Sequence, residues 1–168
     1  MELTRATPVV VTYGPARLNG SVRMVGLLPR SEYLEEWARR VEYYAYEARP
    51  RGLREALMVL LDEVYVEDAL DPLRLGGLEI AFKHTWTNIR ATGRATLVFY
   101  TPPDESYEAR CSVEVHEEGA VKRYLNALHD LLHPSEHGKS DYPAYVFKVE
   151  EVYDNSSRPG GYGRRIYP

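Results

Sequence analysis

The chain predicts an α+β fold: six antiparallel strands in a closed or nearly closed barrel, a helical hairpin inserted at about residues 31–66, and one further helix. Three observations predict it. β-branched, alternating runs recur along the chain and are joined by short turn-rich links, which favours antiparallel neighbours. The apolar period changes to helical spacing in two long stretches, after Ser31 and after Gly119. Gly, Pro, Asn and Asp punctuate the chain between these runs and segregate the helices from the strands.

The elements follow in order. Residues 8–13, PVVVTY, form a β-branched run, and Gly14, Pro15, Asn19 and Gly20 supply turn chemistry before a second strand, SVRMVGLL. From Ser31, a candidate cap, Tyr33, Leu34, Trp37, Val41, Tyr44 and Ala45 recur on one helix face until Pro50. A second helix spans Gly52 to about Val66, with Leu53, Ala56, Leu57, Leu60, Leu61 and Val64 as its apolar face. Asp71, Pro72, Gly76 and Gly77 mark the return to strand at LEIAFK. TNIRATG then reads as one helical turn stopped by Gly93. ATLVFYT and ARCSVEVH pair through Pro102, Pro103 and Asp104; AVKRYLNALHDLL is a helix ended by Pro134; residues 134–143 are a polar loop. AYVFKVEEVYD is the last strand, followed by a Gly/Arg/Tyr-rich tail. No internal repeat or low-complexity tract interrupts this order, and 168 residues suit a single domain, 1–168.

Composition narrows the function classes. The net charge is −4 and the pI is near 5.8, with basic residues interleaved among acids, which argues against nucleic acid as a partner. No run reaches bilayer length and the start has no signal-like core, so a soluble, cytoplasmic protein without a membrane partner is expected. Cys111 is the only cysteine and sits at an alternating strand position, as a buried core residue does. The absence of glutamine, together with abundant Glu, Arg and Tyr, resembles thermophile usage.

Two polar elements stand out. Arg23 lies among Val22, Met24, Val25 and Leu27; it faces either solvent or an anion in a cleft. Lys83, His84, Thr85, Thr87 and Asn88 cluster where a strand hands over to a helical turn, an arrangement that either caps the helix or grips a phosphate. If their strands are neighbours, both elements meet one phosphate. His129, His133 and His137 recur every four residues beside Asp130 and Asp141, but Pro134 breaks the helix before His137 and no metal motif is present, so no metal is assigned. Aromatics at Trp37, Tyr43, Tyr44 and Tyr46 read as packing on the barrel, whereas Trp86, beside the polar cluster, is open to either reading. Neither Glu117/Glu118 nor Glu150/Glu151 forms a paired-carboxylate site, since strand neighbours face opposite ways.

SVRMVGLL, LEIAFKHTWTNIRATGRATLVFY and YEARCSVEV together resemble the FMN-binding split-barrel superfamily, which includes pyridoxamine phosphate oxidase-like and flavin reductase-like proteins. The resemblance covers about the middle third of the chain plus the strand at Arg23. It implies FMN as cofactor, with Arg23, Lys83, Thr85 and Thr87 on its phosphate. Met24 and Val25 backbone groups would lie near the isoalloxazine, Asn88 at the phosphate or capping the turn, and His84 in place of a missing cationic contact. It also implies a homodimer with flavin at the interface, approached by Arg164 and Arg165 of the tail. The chemistry would be oxidoreduction of a small substrate, with a reduced nicotinamide as one electron source and no dedicated catalytic acid or base. The chain lacks the oxidase's intact Ser-Arg-Lys triplet and any counterpart of the residues that grip pyridoxine phosphate. Alternatives are a non-catalytic flavin carrier, a split barrel holding a deazaflavin or haem, or a structural domain whose Arg23 and Lys83 face water.

Overall fold

A computed structural model describes residues 7–134 and 138–168. Its eight strands form one antiparallel sheet: β1 (Val9–Thr12), β2 (Asn19–Val22), β3 (Gly26–Pro29), β4 (Leu70–Leu78), β5 (Arg94–Thr101), β6 (Glu105–His116), β7 (Ala144–Asp154) and β8 (Arg164–Tyr167). The helices are α1 (Leu34–Tyr46), α2 (Leu53–Val59), α3 (His84–Thr92) and α4 (Gly119–Leu132). The α+β class and antiparallel pairing are as the sequence predicts; the count of six strands is not.

Two features account for the extra strands. The run SVRMVGLL is one strand by pattern, yet its first half pairs with β1 and its second with β4, leaving Arg23–Val25 between them. The tail contributes β8, whose Arg164, Arg165 and Tyr167 pair with β7. Along the sheet the order is β2-β1-β5-β6-β7-β4-β3, with β8 beside β7. Its outermost strands, β2 and β3, are consecutive in the chain. Three residues therefore join the two edges, and the sheet returns on itself at a seam.

β4 begins and ends earlier than the run LEIAFK suggests. Pro72, which has no N–H to donate, falls in a bulge: Leu27 pairs with Leu75, but Leu28 pairs with Asp71. Asp71 accepts the Leu73 amide at 3.0 Å to close that bulge. The strand stops at Leu78 because the Glu79 carboxylate takes the Ala81 and Phe82 amides at 2.8 and 2.6 Å, turning the chain, with Phe82 at φ +52°. α3 follows. It is longer than the expected single turn, and Gly93 ends it in the left-handed region at φ +60°.

The alternation of β7 divides the interior. Tyr145 and Phe147 enter the barrel core with Val10, Leu97 and Ile89, while Ala144 and Val146 face a second core under the helices. In that outer core Leu28, Trp37, Val41, Tyr124 and Leu128 pack together, and the Trp37 indole donates to the Val64 carbonyl at 2.9 Å. Only part of the expected face of the second helix is buried: Ala56, Leu60 and Val64 are inside, whereas Leu53, Leu57 and Leu61 are exposed. After Val59 the helix widens into a π turn over residues 60–64, closed by Tyr65 N–H to Leu60 O, with Leu60 and Val64 still facing the core. Ser31 does not cap α1; its hydroxyl accepts from Arg74 at 2.8 Å, and Tyr33 occupies the cap position. Gly76 is required by close packing, since a Cβ there would lie 2.7 Å from Leu28 Cδ2 and 2.8 Å from Leu125 Cδ2. Cys111 is buried, and burial pushes its thiol up to about 12. Among the described residues no helix is long and apolar enough to cross a membrane.

Candidate functional site

The seam builds one wall of a cleft of about 400 Å³. Residues 21–26 run along one side, Gly76–Leu78 with Ile80 and Ala81 along another, Leu125, Leu128, His129 and Leu132 of α4 form the roof, and Leu60 and Tyr65 close the end. Among the described residues no carboxylate lines it, and the basic ones that do are Arg23 and His129. A largely apolar cavity of this size with few polar groups suits a small planar ligand. Burial pushes the Tyr65 phenol up to about 12, so it stays neutral.

Arg23 is held firmly. Its Nε donates to Ser21 Oγ at 3.1 Å, Nη1 to the Leu78 carbonyl at 3.0 Å, and Nη2 to Glu79 Oε2 at 2.8 Å. Glu79 is wholly buried, and its four donors are Arg23, the Tyr145 hydroxyl at 2.7 Å and the amides of Ala81 and Phe82. Burial, then the bond to Glu79, pushes the Tyr145 phenol upward, so it remains a donor. This cluster clamps the seam to the end of β4. Sequence reasoning missed Glu79 and Tyr145, because their partners are 56 and 66 residues away; the one local signal was a carboxylate inside the apolar run LEIAFK.

The expected cofactor residues fall into three groups. Arg23, Met24 and Val25 line the cleft. Thr85, on the first turn of α3, reaches the same corner: its hydroxyl lies 3.0 Å from Ser21 Oγ and accepts from Asn19 Nδ2 at 2.9 Å, so Ser21 touches both Arg23 and Thr85. Lys83 and His84 are exposed at the start of α3, as is Thr87 further along it. Asn88 lies apart. Its side chain is buried and serves the β1–β2 turn, accepting from the Ala16 amide at 2.8 Å and donating to the Arg17 carbonyl at 2.7 Å and Thr12 Oγ1 at 3.2 Å. Trp86 packs against Tyr145 and Phe82 as part of the barrel core.

At the α4 end His129 faces the cleft, and its Nδ1 lies 3.2 Å from Asp130 Oδ1. Asp130 also accepts from the Ser140 hydroxyl at 2.5 Å, the Ser140 amide at 2.8 Å and the Tyr46 hydroxyl at 2.9 Å. Burial alone would raise its pKa, but the bonds from Ser140, His129 and Tyr46 outweigh it and hold the carboxyl below its ordinary value. The sequence offered His129 only as a metal candidate with His133 and His137. His137 lies outside the described residues, and those that are described contain no metal-ligating cluster.

With this geometry in view, the fold can be compared with solved structures. HupZ of Group A Streptococcus superposes with a TM-score of 0.58 at 12% identity, over 98% of this chain and 94% of that one. General stress protein 26 of Bacillus anthracis gives 0.52 at 10% identity, over the whole of both chains. An F420 reductase gives 0.51 at 12% identity, covering 90% of this chain and 93% of that one. The chain has the fold of the pyridoxamine phosphate oxidase-like split barrels. No family model matches its sequence, and no curated protein does either.

Proposed function

We propose that the chain is a flavin-binding protein of the split-barrel type, with FMN as cofactor, that carries out oxidoreduction of a small substrate as a homodimer. The observation that carries this reading is the seam cleft, an apolar slot that ends at a polar corner where Arg23, Ser21 and Thr85 share hydrogen bonds. The ring system of a flavin suits the slot and its anionic end the corner.

The donor set fits a phosphate in a particular way. Glu79 neutralises Arg23 from within, but both its oxygens are engaged by buried donors. Arg23 retains two guanidinium hydrogens beyond its three bonds. The Ser21 and Thr85 hydroxyls and the first amides of α3 are the donors proposed to complete the cradle, and Lys83 and His84, exposed at the start of α3, are the further cationic candidates for it. Met24 and Val25 supply backbone groups on the slot wall. When bound, the flavin supplies two-electron chemistry; the chain binds it, keeps water from its ring and sets its orientation. A reduced nicotinamide is the proposed electron source.

The neighbour named F420 reductase favours a second reading, in which the same slot takes an F420-type cofactor. One experiment tests both: the mass and absorption spectrum of the small molecule released from purified protein, with FMN titrated into stripped protein. FMN released, or bound at micromolar concentration and bleached by a reduced nicotinamide, supports the first reading. An F420-type mass supports the second, and a colourless protein that binds neither overturns both.

A further inference from the structure

We propose that His129, oriented by Asp130, is the proton-transfer residue of the seam cleft and that the molecule it serves is an uncharged, largely apolar carbonyl compound such as a quinone. The inference rests on the flavin reading for its electrons, and on the cleft itself for its geometry.

The argument begins with what the cleft offers a ligand. Its walls are Val25, Leu60, Leu125, Leu128 and Leu132, no acid among the described residues lines it, and Arg23 is paired with Glu79. Beyond the Arg23 corner proposed for the cofactor's phosphate, a polyanionic substrate would find no second lysine or arginine among the described lining residues, and an apolar neutral one loses little on leaving water. His129 is the one histidine among the described lining residues, and an imidazole can both give and take a proton. Asp130 is held anionic by Ser140, Tyr46 and His129, so it accepts the Nδ1 proton and leaves Nε2 as the working atom. No hydrogen bond from a described residue engages Nε2. The groups that face the imidazole are Asp130 and His133 on α4, Ser140 and Tyr142 of the following segment, and Arg23 and Tyr65 elsewhere around the cleft.

In the step assigned to it, the carbonyl compound gains a hydride from the reduced flavin and a proton from Nε2 of the imidazolium. For a quinone the hydride ends on one oxygen and the imidazolium proton on the other, so both C=O π bonds are lost, two O–H bonds are made and the ring becomes aromatic; the bond that carried the hydride on the reduced flavin is broken, the acceptor is reduced by two electrons and the flavin is oxidised by two. The neutral imidazole then recovers its proton from water.

The test uses the full chain, the His129→Gln variant and, as a control next to it, His133→Gln. Imidazole ¹⁵N spectra of cofactor-free protein are followed while 2-methyl-1,4-naphthoquinone is added. The expected result is a signal pair, absent in His129→Gln, that shows Nδ1 protonated and moves on addition of the quinone, unchanged in His133→Gln. A His129 signal that stays still overturns the proposal, whatever the cofactor. With FMN bound and reduced, the quinone should reoxidise wild type at a rate that falls as pH rises through the imidazole ionisation; His129→Gln should be slower by about 100-fold or more and lose that pH limb. Equal rates and profiles also overturn it. If FMN fails to bind while the quinone still moves the His129 signals, the flavin reading falls and the carbonyl-binding role of His129 stands. FMN affinity within about threefold of wild type in His129→Gln separates proton transfer from cofactor loading.

Discussion

Charge is used in two ways in this molecule. At the seam Arg23, Glu79 and Tyr145 lie together away from water, and the bonds of Arg23 to Leu78 and Glu79 and of Tyr145 to Glu79 join distant parts of the chain. Across the outer face of β5 to β8, Arg94 pairs with Glu150, Lys148 with Glu114, and Arg110 and Arg165 both with Glu151, all in contact with water. The exposed ladder is more numerous, yet each pair trades hydration and side-chain freedom for a screened attraction. The buried cluster is small but cannot lose a member without leaving a desolvated partner. Number of ion pairs is therefore a poor guide to which charges hold this fold.

The largest effect should come from Glu79→Ala, which strands Arg23 and two amides. A loss of about 3–5 kcal/mol is expected in urea unfolding, and a change under about 1 kcal/mol would break the contrast. Arg23→Ala should cost a similar amount, and the double variant less than the two together. In stripped Arg23→Ala protein FMN should bind more weakly by about 1.5–3 kcal/mol, read by flavin fluorescence; equal affinity would remove Arg23 from the phosphate. Tyr145→Phe, which takes one donor from Glu79, should cost about 1–3 kcal/mol. Glu151→Gln on the ladder should cost no more than about 1 kcal/mol, and less still at high salt.

Asp130 sharpens the comparison through pH. Its folded pKa lies below the ordinary value of 3.8, so its contribution is complete above that pH and is lost as pH falls through the folded value. Asp130→Asn should flatten the acid limb of the stability curve, measured by thermal unfolding between pH 5 and about 2; an unchanged limb would show that the carboxyl is not held as its four donors imply.

Much of the architecture was legible locally. Gly93 stops α3 because a left-handed residue is needed there, and β5, β6, β7 and α4 follow from periodicity alone. What was not legible depends on partners far along the chain. SVRMVGLL has an unbroken strand pattern, and nothing within it shows that Val22 belongs beside β1 while Gly26 belongs beside β4. Asn88 has the residue type and position of a helix-start ligand, but it serves a turn 71 residues away. Arg23 and Thr85 both touch Ser21 at one corner, an adjacency that the order of their strands suggests. The carboxylate that shares Arg23 was hidden, since one acidic residue in an apolar run carries no mark of what it will meet.

The side chain that Gly76 lacks sets a dimension. Leu28 and Leu125 meet where its side chain would stand, so α4 approaches β4 as closely as two leucines allow. Gly76, Leu125 and His129 also border the slot. The height of that slot is thus gauged by a missing methyl group, and an alanine at this one position would act as a shim, lifting the roof and carrying the imidazole away from whatever lies beneath it.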